Sequence, residues 1–267
     1  MTINTLFIDI DGTLLVREEP VPGAAEAVLY ARDRGLALRF LTNINARTPK
    51  VIAQQLRDKG IEVEASEIHT ATSACILALK QRPNLRCHLL VPDSIRAEFN
   101  DVLQVEEDVQ AVVIADMGEA FGYSNLNQVF RMVLDGAEMF VMQKGLFWNS
   151  PKGPCLDSGA FVLGIEAATG KSAQVMGKPS LAFIQTALDD CKVSADQVLV
   201  IGDDVTTDIC SAALVGAQSV LVGTGKYRVG HEAAGPHRPD HFLTDISALP
   251  MLLAATQTHL GSVKKIT

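Results

Sequence analysis

The tightest constraint on this chain lies at its start. Residues 3–8 are, apart from Asn4, a run of apolar and β-branched side chains, and two carboxylates, Asp9 and Asp11, follow before Gly12-Thr13. Such a run predicts a buried strand, and Gly-Thr after it a turn. Side chains alternate along extended backbone, so Asp9 and Asp11 are expected to share one side while Ile10 points away. In an open α/β sheet, ligands sit outside the carboxyl ends of the strands. A strand ending in Asp-x-Asp therefore aims two acids at the place where chemistry is expected. Paired carboxylates can hold a divalent cation, or act as nucleophile and acid/base. An acidic strand end can equally be an ordinary turn.

The rest of the chain repeats the strand–helix succession. Residues 23–34 read as a helix with Ala24, Ala27, Val28 and Ala31 on one face, stopped by Gly35. A second apolar run, 36–41, ends in Thr42-Asn43, and a helix over 48–59 starts with Thr48 as cap and Pro49 at its first position. Residues 61–69 are short and mixed, and 70–81 read as a helix. Further on, 87–91, 111–115 and 138–142 read as strands, 125–134 and 161–168 as helices, and the Gly- and Pro-rich stretch 143–159 as an irregular loop. A short strand at 174–177 leads to Lys178-Pro179-Ser180 and a helix over 180–191. The apolar strand 198–201 runs into Gly202-Asp203-Asp204, followed by a helix at 206–215, a strand at 219–222 and a last helix from Asp245. This order predicts an α/β fold with a parallel sheet and right-handed crossovers. The middle hundred residues have an α/β pattern of their own, enough for a small separate domain.

Four strand ends thus carry polar groups of different kinds: Asp9 and Asp11; Thr42 and Asn43; Lys178; and Asp203 and Asp204, with Asp208 further on. If those strands are parallel, the groups converge on one edge. Each kind has a task in phosphoryl transfer. One carboxylate can attack phosphorus, a second can protonate the leaving oxygen and then activate water. Mg²⁺ prefers oxygen ligands, which Asp9 and Asp203 could supply. A hydroxyl, N–H groups and a lysine suit the charge that spreads over the phosphoryl oxygens, and Thr42, Asn43 and Lys178 fit. Asp208 reads either as a group orienting Lys178 or the metal waters, or as an acid near a helix N-terminus.

Other classes are disfavoured. The net charge of −8, with no basic cluster beyond Lys264-Lys265, makes nucleic acid a poor partner. No apolar run approaches a membrane span and no secretory signal is seen. Five widely spaced cysteines without Cys-x-x-Cys indicate neither a zinc site nor a disulfide frame, and a reduced cytoplasm is the simplest location. The six histidines lack metal-ligand spacing; the densest group, 236–241, reads as a surface loop between prolines.

Asp9-Ile10-Asp11-Gly12-Thr13-Leu14, Leu41-Thr42-Asn43, Gly177-Lys178-Pro179 and Gly202-Asp203-Asp204 with Thr207-Asp208-Ile209 resemble the four ordered motifs of the haloacid dehalogenase (HAD) superfamily. The large insert between the second and third motifs is similar to that of the NagD-like subclass. Val21-Pro22-Gly23-Ala24, the stretch 159–166 and Gly223-Thr224-Gly225-Lys226 match further. Residues 123–136 and Gly225-Lys226-Tyr227-Arg228 resemble the branch that contains the phospholysine/phosphohistidine/inorganic pyrophosphate phosphatase.

The resemblance implies a Rossmann-like parallel-sheet HAD core of residues 1–73 plus 173–267 and an inserted α/β cap domain, 74–172. It implies Asp9 as nucleophile and Mg²⁺ ligand, and Asp11 as general acid/base that also gives Mg²⁺ its carbonyl. Thr42, Asn43 and Lys178 would bind the phosphoryl group, Asp203 would complete the Mg²⁺ ligands, and Asp204 and Asp208 would support them. The acid at Asp11 favours phosphatase over dehalogenase or P-type ATPase. The implied activity is hydrolysis of small phosphorylated metabolites through an aspartyl-phosphate. The alternatives are phosphoamidase or inorganic pyrophosphatase activity, or a non-catalytic binding protein on the same fold. Residues 143–160 are the candidate substrate-reading loop, with Trp148, Lys152, Asp157 and Ser158 as contacts. Related proteins dimerise through cap surfaces, so a homodimer is compatible with this reading.

Overall fold

The apolar run before Asp9 forms the strand Thr5–Asp9, with all five residues buried. In the computed structural model, which describes residues 3–150 and 153–261, this strand lies inside a six-stranded sheet. The order across it is His241–Leu243, Gln218–Val222, Val198–Gly202, Thr5–Asp9, Ala37–Thr42, Ile68–Thr70. The pairings from His241–Leu243 to Ala37–Thr42 are parallel. Ile8 pairs with Ile201, so Asp9 ends its strand beside Gly202. From Thr5–Asp9 the chain moves on to Ala37–Thr42 on one side; from Val198–Gly202 it moves on to Gln218–Val222 on the other. Connections that diverge from neighbouring strands leave a crevice at their carboxyl ends, where open α/β sheets receive ligands.

The chain divides into two compact units. One holds the residues up to Leu41, Ile52–Ile68 and those from Cys191 onward; the other holds Thr42–Val51 and His69–Asp190. In the first unit Leu6, Phe7 and Ile8 are fully buried, each worth about 1.5–3 kcal/mol relative to exposure. The helix Ala24–Asp33 buries Ala24, Ala27, Val28 and Ala31, the face expected from their spacing.

The second unit is built on a parallel sheet of its own, ordered Gln174–Val175, Glu138–Val141, Ala111–Ile114, Cys87–Leu90. Alternation sends its side chains to two cores. Cys87, Leu89, Ala111, Val113 and Phe140 pack with Cys75, Ile76 and Leu79 of the helix Ala71–Lys80. Leu90, Val112, Ile114, Met139 and Val141 pack with Val129 and Val133 of Tyr123–Leu134 and with Val162 and Ile165 of Ser158–Thr169. Both faces are covered, which is why these strands read as unbroken apolar runs.

The α/β architecture matches the expectation; three local readings change. Phe147–Ser150 and Gly153–Leu156 pair as an antiparallel hairpin inside the stretch expected to be irregular. Pro154 and Gly153 hid it, yet each strand of a two-stranded ribbon is an edge, where proline is tolerated. Ile68–Thr70 and His241–Leu243 are edge strands too short for a periodic signal. Among the described residues, no helix is long and apolar enough to cross a membrane.

Candidate active site

The first unit gathers acids at the crevice. Carboxylate oxygens of Asp9, Asp203 and Asp208, all three residues buried, lie within 4.8 Å of one another. Two full charges at that separation repel by roughly 3–4 kcal/mol at an effective dielectric near 20. Three such groups, crowded in a buried place, favour a cation among them. Hard oxygen donors of this kind suit Mg²⁺. No other cluster of His, Cys, Asp or Glu with metal-holding geometry occurs among the described residues.

Local structure explains how the acids meet. Asp9 ends one buried strand and Asp203 follows another. Asp204 caps the next turn, its Oδ1 accepting from the N–H (2.8 Å) and the hydroxyl (2.6 Å) of Thr206. That turn, Val205–Ile209, is π-helical, a wide geometry found often at functional sites. It brings Asp208 back so that the Asp204 N–H donates to Asp208 Oδ2 at 3.2 Å. Asp9 and Ile10 are buried and Asp11, past the end of the strand, is exposed; the Asp11 carboxylate is not one of the three that cluster.

A loop that was matched in the sequence without a role locks this arrangement. The Lys226 N–H donates to Asp203 Oδ2 at 2.6 Å, and the Lys226 ammonium pairs with Asp204 Oδ2 at 3.1 Å. The Thr224 hydroxyl donates to the Gly12 carbonyl at 2.5 Å. Gly12 (φ +108°) and Gly225 (φ +59°) flank the Asp203 carboxylate so closely that a Cβ on either would fall 2.1 Å from Oδ2. Burial pushes the Asp204 carboxyl up, but Thr206 and Lys226 outweigh it and leave it below the usual carboxylate value. For Lys226, burial pulls downward, while Asp204, Asp203 and Asp208 hold the ammonium above the ordinary lysine value.

The second unit holds the remaining polar residues of the motifs. Thr42 ends its strand buried, with its hydroxyl oxygen accepting from the Ile44 N–H at 3.0 Å. That leaves the Thr42 O–H able to donate. Asn43 Oδ1 accepts from the Lys178 N–H at 2.7 Å, and Asn43 Nδ2 donates to the Lys178 carbonyl at 3.0 Å. Lys178 is buried, and its peptide bond to Pro179 is cis.

Of the residues considered for reading the substrate, Asp157 is buried and committed locally. It accepts from the Ser158 N–H (2.6 Å), the Ser158 hydroxyl (3.2 Å) and Gln143 Nε2 (2.9 Å). Burial, with Asp116 adding, keeps its pKa above the usual value against those hydrogen bonds. Lys152 and Lys264-Lys265 lie outside the described residues, as does the Trp148 side chain.

Comparison with known proteins gives a consistent picture. A family profile for haloacid dehalogenase-like hydrolases matches residues 6–102, and one described as HAD-hydrolase-like matches 175–249. The chain is 34% identical over 252 residues to haloacid dehalogenase-like hydrolase domain-containing protein 2 of Mus musculus, covering 90% of this chain and 96% of that one. It is 34% identical over 253 residues to the phospholysine phosphohistidine inorganic pyrophosphate phosphatase of Danio rerio, covering 92% and 93%. Among solved structures, NagD from E. coli K-12 superposes with a TM-score of 0.85 at 24% identity, covering 92% of this chain and 98% of that one.

Proposed function

The chain belongs to the haloacid dehalogenase-like hydrolases, with the fold of their NagD-like subclass, and on that footing we propose a Mg²⁺-dependent phosphatase of small phosphorylated metabolites that works through an aspartyl-phosphate at Asp9. The observation that carries this reading is the buried cluster of Asp9, Asp203 and Asp208 at the carboxyl ends of two adjacent parallel strands. Asp9 and Asp203, with the Asp11 carbonyl, are assigned to the cation, and Asp204 and Asp208 support them. When bound, the cation offsets the negative charge gathered on the carboxylates and the phosphoryl oxygens.

In the first step an Asp9 carboxylate oxygen bonds to phosphorus while the bond to the leaving group breaks. Asp11, assigned as the general acid, gives the departing atom a proton. In the second step water adds to phosphorus and returns a proton to Asp11, the aspartyl-phosphate P–O bond breaks, and inorganic phosphate leaves. Thr42, Asn43 and Lys178 are assigned to the phosphoryl-binding part of the site. Residues 74–172 are assigned as the cap that selects the leaving group, on a core of 1–73 and 173–267.

A second reading has its own support: the Danio rerio relative carries phospholysine, phosphohistidine and inorganic pyrophosphate in its name. Phosphoamidase or pyrophosphatase activity needs the same machinery with a different leaving group. The test is phosphate release from sugar phosphates, phosphoglycolate, nucleotides, pyridoxal phosphate, pyrophosphate and a phosphoramidate, with and without Mg²⁺, beside Asp9→Asn. Turnover that needs Mg²⁺ and disappears in the variant is the expected result, and the rank order chooses between the readings. Turnover that survives Asp9→Asn sinks the mechanism.

A further inference from the structure

Asn43 and Lys178 are separated by 135 positions, yet one side chain and one backbone meet through two hydrogen bonds, at 2.7 and 3.0 Å. The bonds land on different peptide groups. The Lys178 N–H belongs to the peptide before the Lys178 Cα, and the Lys178 carbonyl to the peptide after it. One carboxamide thus fixes both peptide planes that flank a single Cα, and with them the direction in which the lysine side chain leaves the backbone.

The neighbouring residue is shaped to allow this. A Cβ on Gly177 would fall 2.4 Å from the Met142 carbonyl oxygen, 2.7 Å from Asn43 Oδ1 and 3.3 Å from the Ala71 Cβ. Only a residue without a side chain lets the carboxamide approach. The partner is equally restricted. Aspartate offers an acceptor but no donor, alanine offers neither, and glutamine sets its carboxamide one methylene further from the backbone. The oxygen and one N–H of the Asn43 carboxamide are spent on backbone.

We propose that Asn43 is a positioning residue, whose carboxamide sets the Lys178 side chain for the phosphoryl group without touching that group. This rests on the phosphatase reading above, in which Asn43 belongs to the phosphoryl-binding part of the site, and it gives the Asn43 side chain the task of setting Lys178 there.

Inorganic phosphate, the product of the proposed reaction, is the probe, titrated calorimetrically into the full chain with Mg²⁺. Loss of two hydrogen bonds that orient a charged group is expected to weaken phosphate binding about tenfold in Asn43→Ala. Lys178→Ala is expected to weaken it further, and the double variant to match Lys178→Ala, because Asn43 has nothing left to orient. A double variant that falls by the Asn43→Ala factor below Lys178→Ala overturns the proposal, as does an Asn43→Ala protein that binds phosphate like the parent. A second readout needs no phosphate. The backbone amide resonance of Lys178 in the free protein should move in Asn43→Ala and return part-way in Asn43→Asp, which keeps the acceptor. An unmoved resonance overturns the proposal. A parent chain that neither binds nor releases phosphate strikes at the phosphatase reading alone, and the resonance test stands without it.

Discussion

The backbone N–H of Lys226 donates to Oδ2 of Asp203 at 2.6 Å, while the Cα atoms of Gly12 and Gly225 close in on the same carboxylate. Asp203 is thereby held by main chain, which does not swing as a long side chain would. Gly225→Ala would set a methyl 2.1 Å from Oδ2 at a φ of +59°. The carboxylate must then leave its place in the acid cluster. Mg²⁺ binding measured by calorimetry is expected to weaken at least about tenfold. Gly35→Ala is the control, since its φ is also positive (+72°) but nothing lies within 4 Å. That change should cost about 1–2 kcal/mol of stability and leave Mg²⁺ binding alone.

Lys226→Met separates the backbone of that residue from its charge. The N–H to Asp203 survives, and the ion pair with Asp204 is lost. Removing an ammonium that feels the charges of Asp203 and Asp208 removes a repulsion toward any cation that joins them. Mg²⁺ affinity is expected to rise about two- to fivefold at low salt and less at high salt. An unchanged or weaker affinity would show that Lys226 acts on Asp204 alone.

The acids and their order along the chain were legible because each ends an apolar run, and runs that end in carboxylates at Asp9 and Asp203 leave few parallel-sheet arrangements open. Asp208 was read as support, since its entry into the cluster depends on the π-helical turn after Asp204. Lys226 lay in a matched stretch with no role, because its bond to Asp203 spans 23 positions and the Thr224–Gly12 bond spans 212. No local periodicity reports such a fold-back. The hairpin at Phe147–Ser150 and Gly153–Leu156 escaped for the opposite reason: its glycine and proline are strong local signals of a loop, and strand pairing overrode them.

Acid should strip one strap from the first unit in a definite window. Arg32 holds Glu67 in a two-pronged pair at 2.6 and 2.5 Å, tying the helix Ala24–Asp33 to the turn before Ile68–Thr70. Burial pushes the Glu67 carboxyl up, but Arg32 and the Glu64 N–H bring it below the ordinary glutamate value. A lowered pKa in the folded state means that the stabilisation is present above the unfolded value, near 4.3, and fades as pH falls through the folded value. Arg32→Met is therefore expected to cost about 1–2 kcal/mol at pH 7 in chemical denaturation. The gap from the parent should close below about pH 4. A gap that persists there would assign the loss to packing of the arginine stem.

The acid cluster should trade stability for function. In metal-free protein, Asp9, Asp203 and Asp208 crowd like charges into a buried space, a cost that only binding relieves. Asp9→Asn removes one charge at nearly constant shape. In chelator the variant is expected to be more stable than the parent by about 1–2 kcal/mol, a rise of roughly 2–6 °C in the thermal midpoint for a chain of this size. Added Mg²⁺ should raise the parent's midpoint clearly and the variant's much less, since one ligand has lost its charge. Hydrolysis should vanish in the variant at every Mg²⁺ concentration. If Asp9→Asn melts below the parent in chelator, the repulsion is already relieved by protons or neighbouring dipoles, and the cluster is not poised for a cation in the way its geometry suggests.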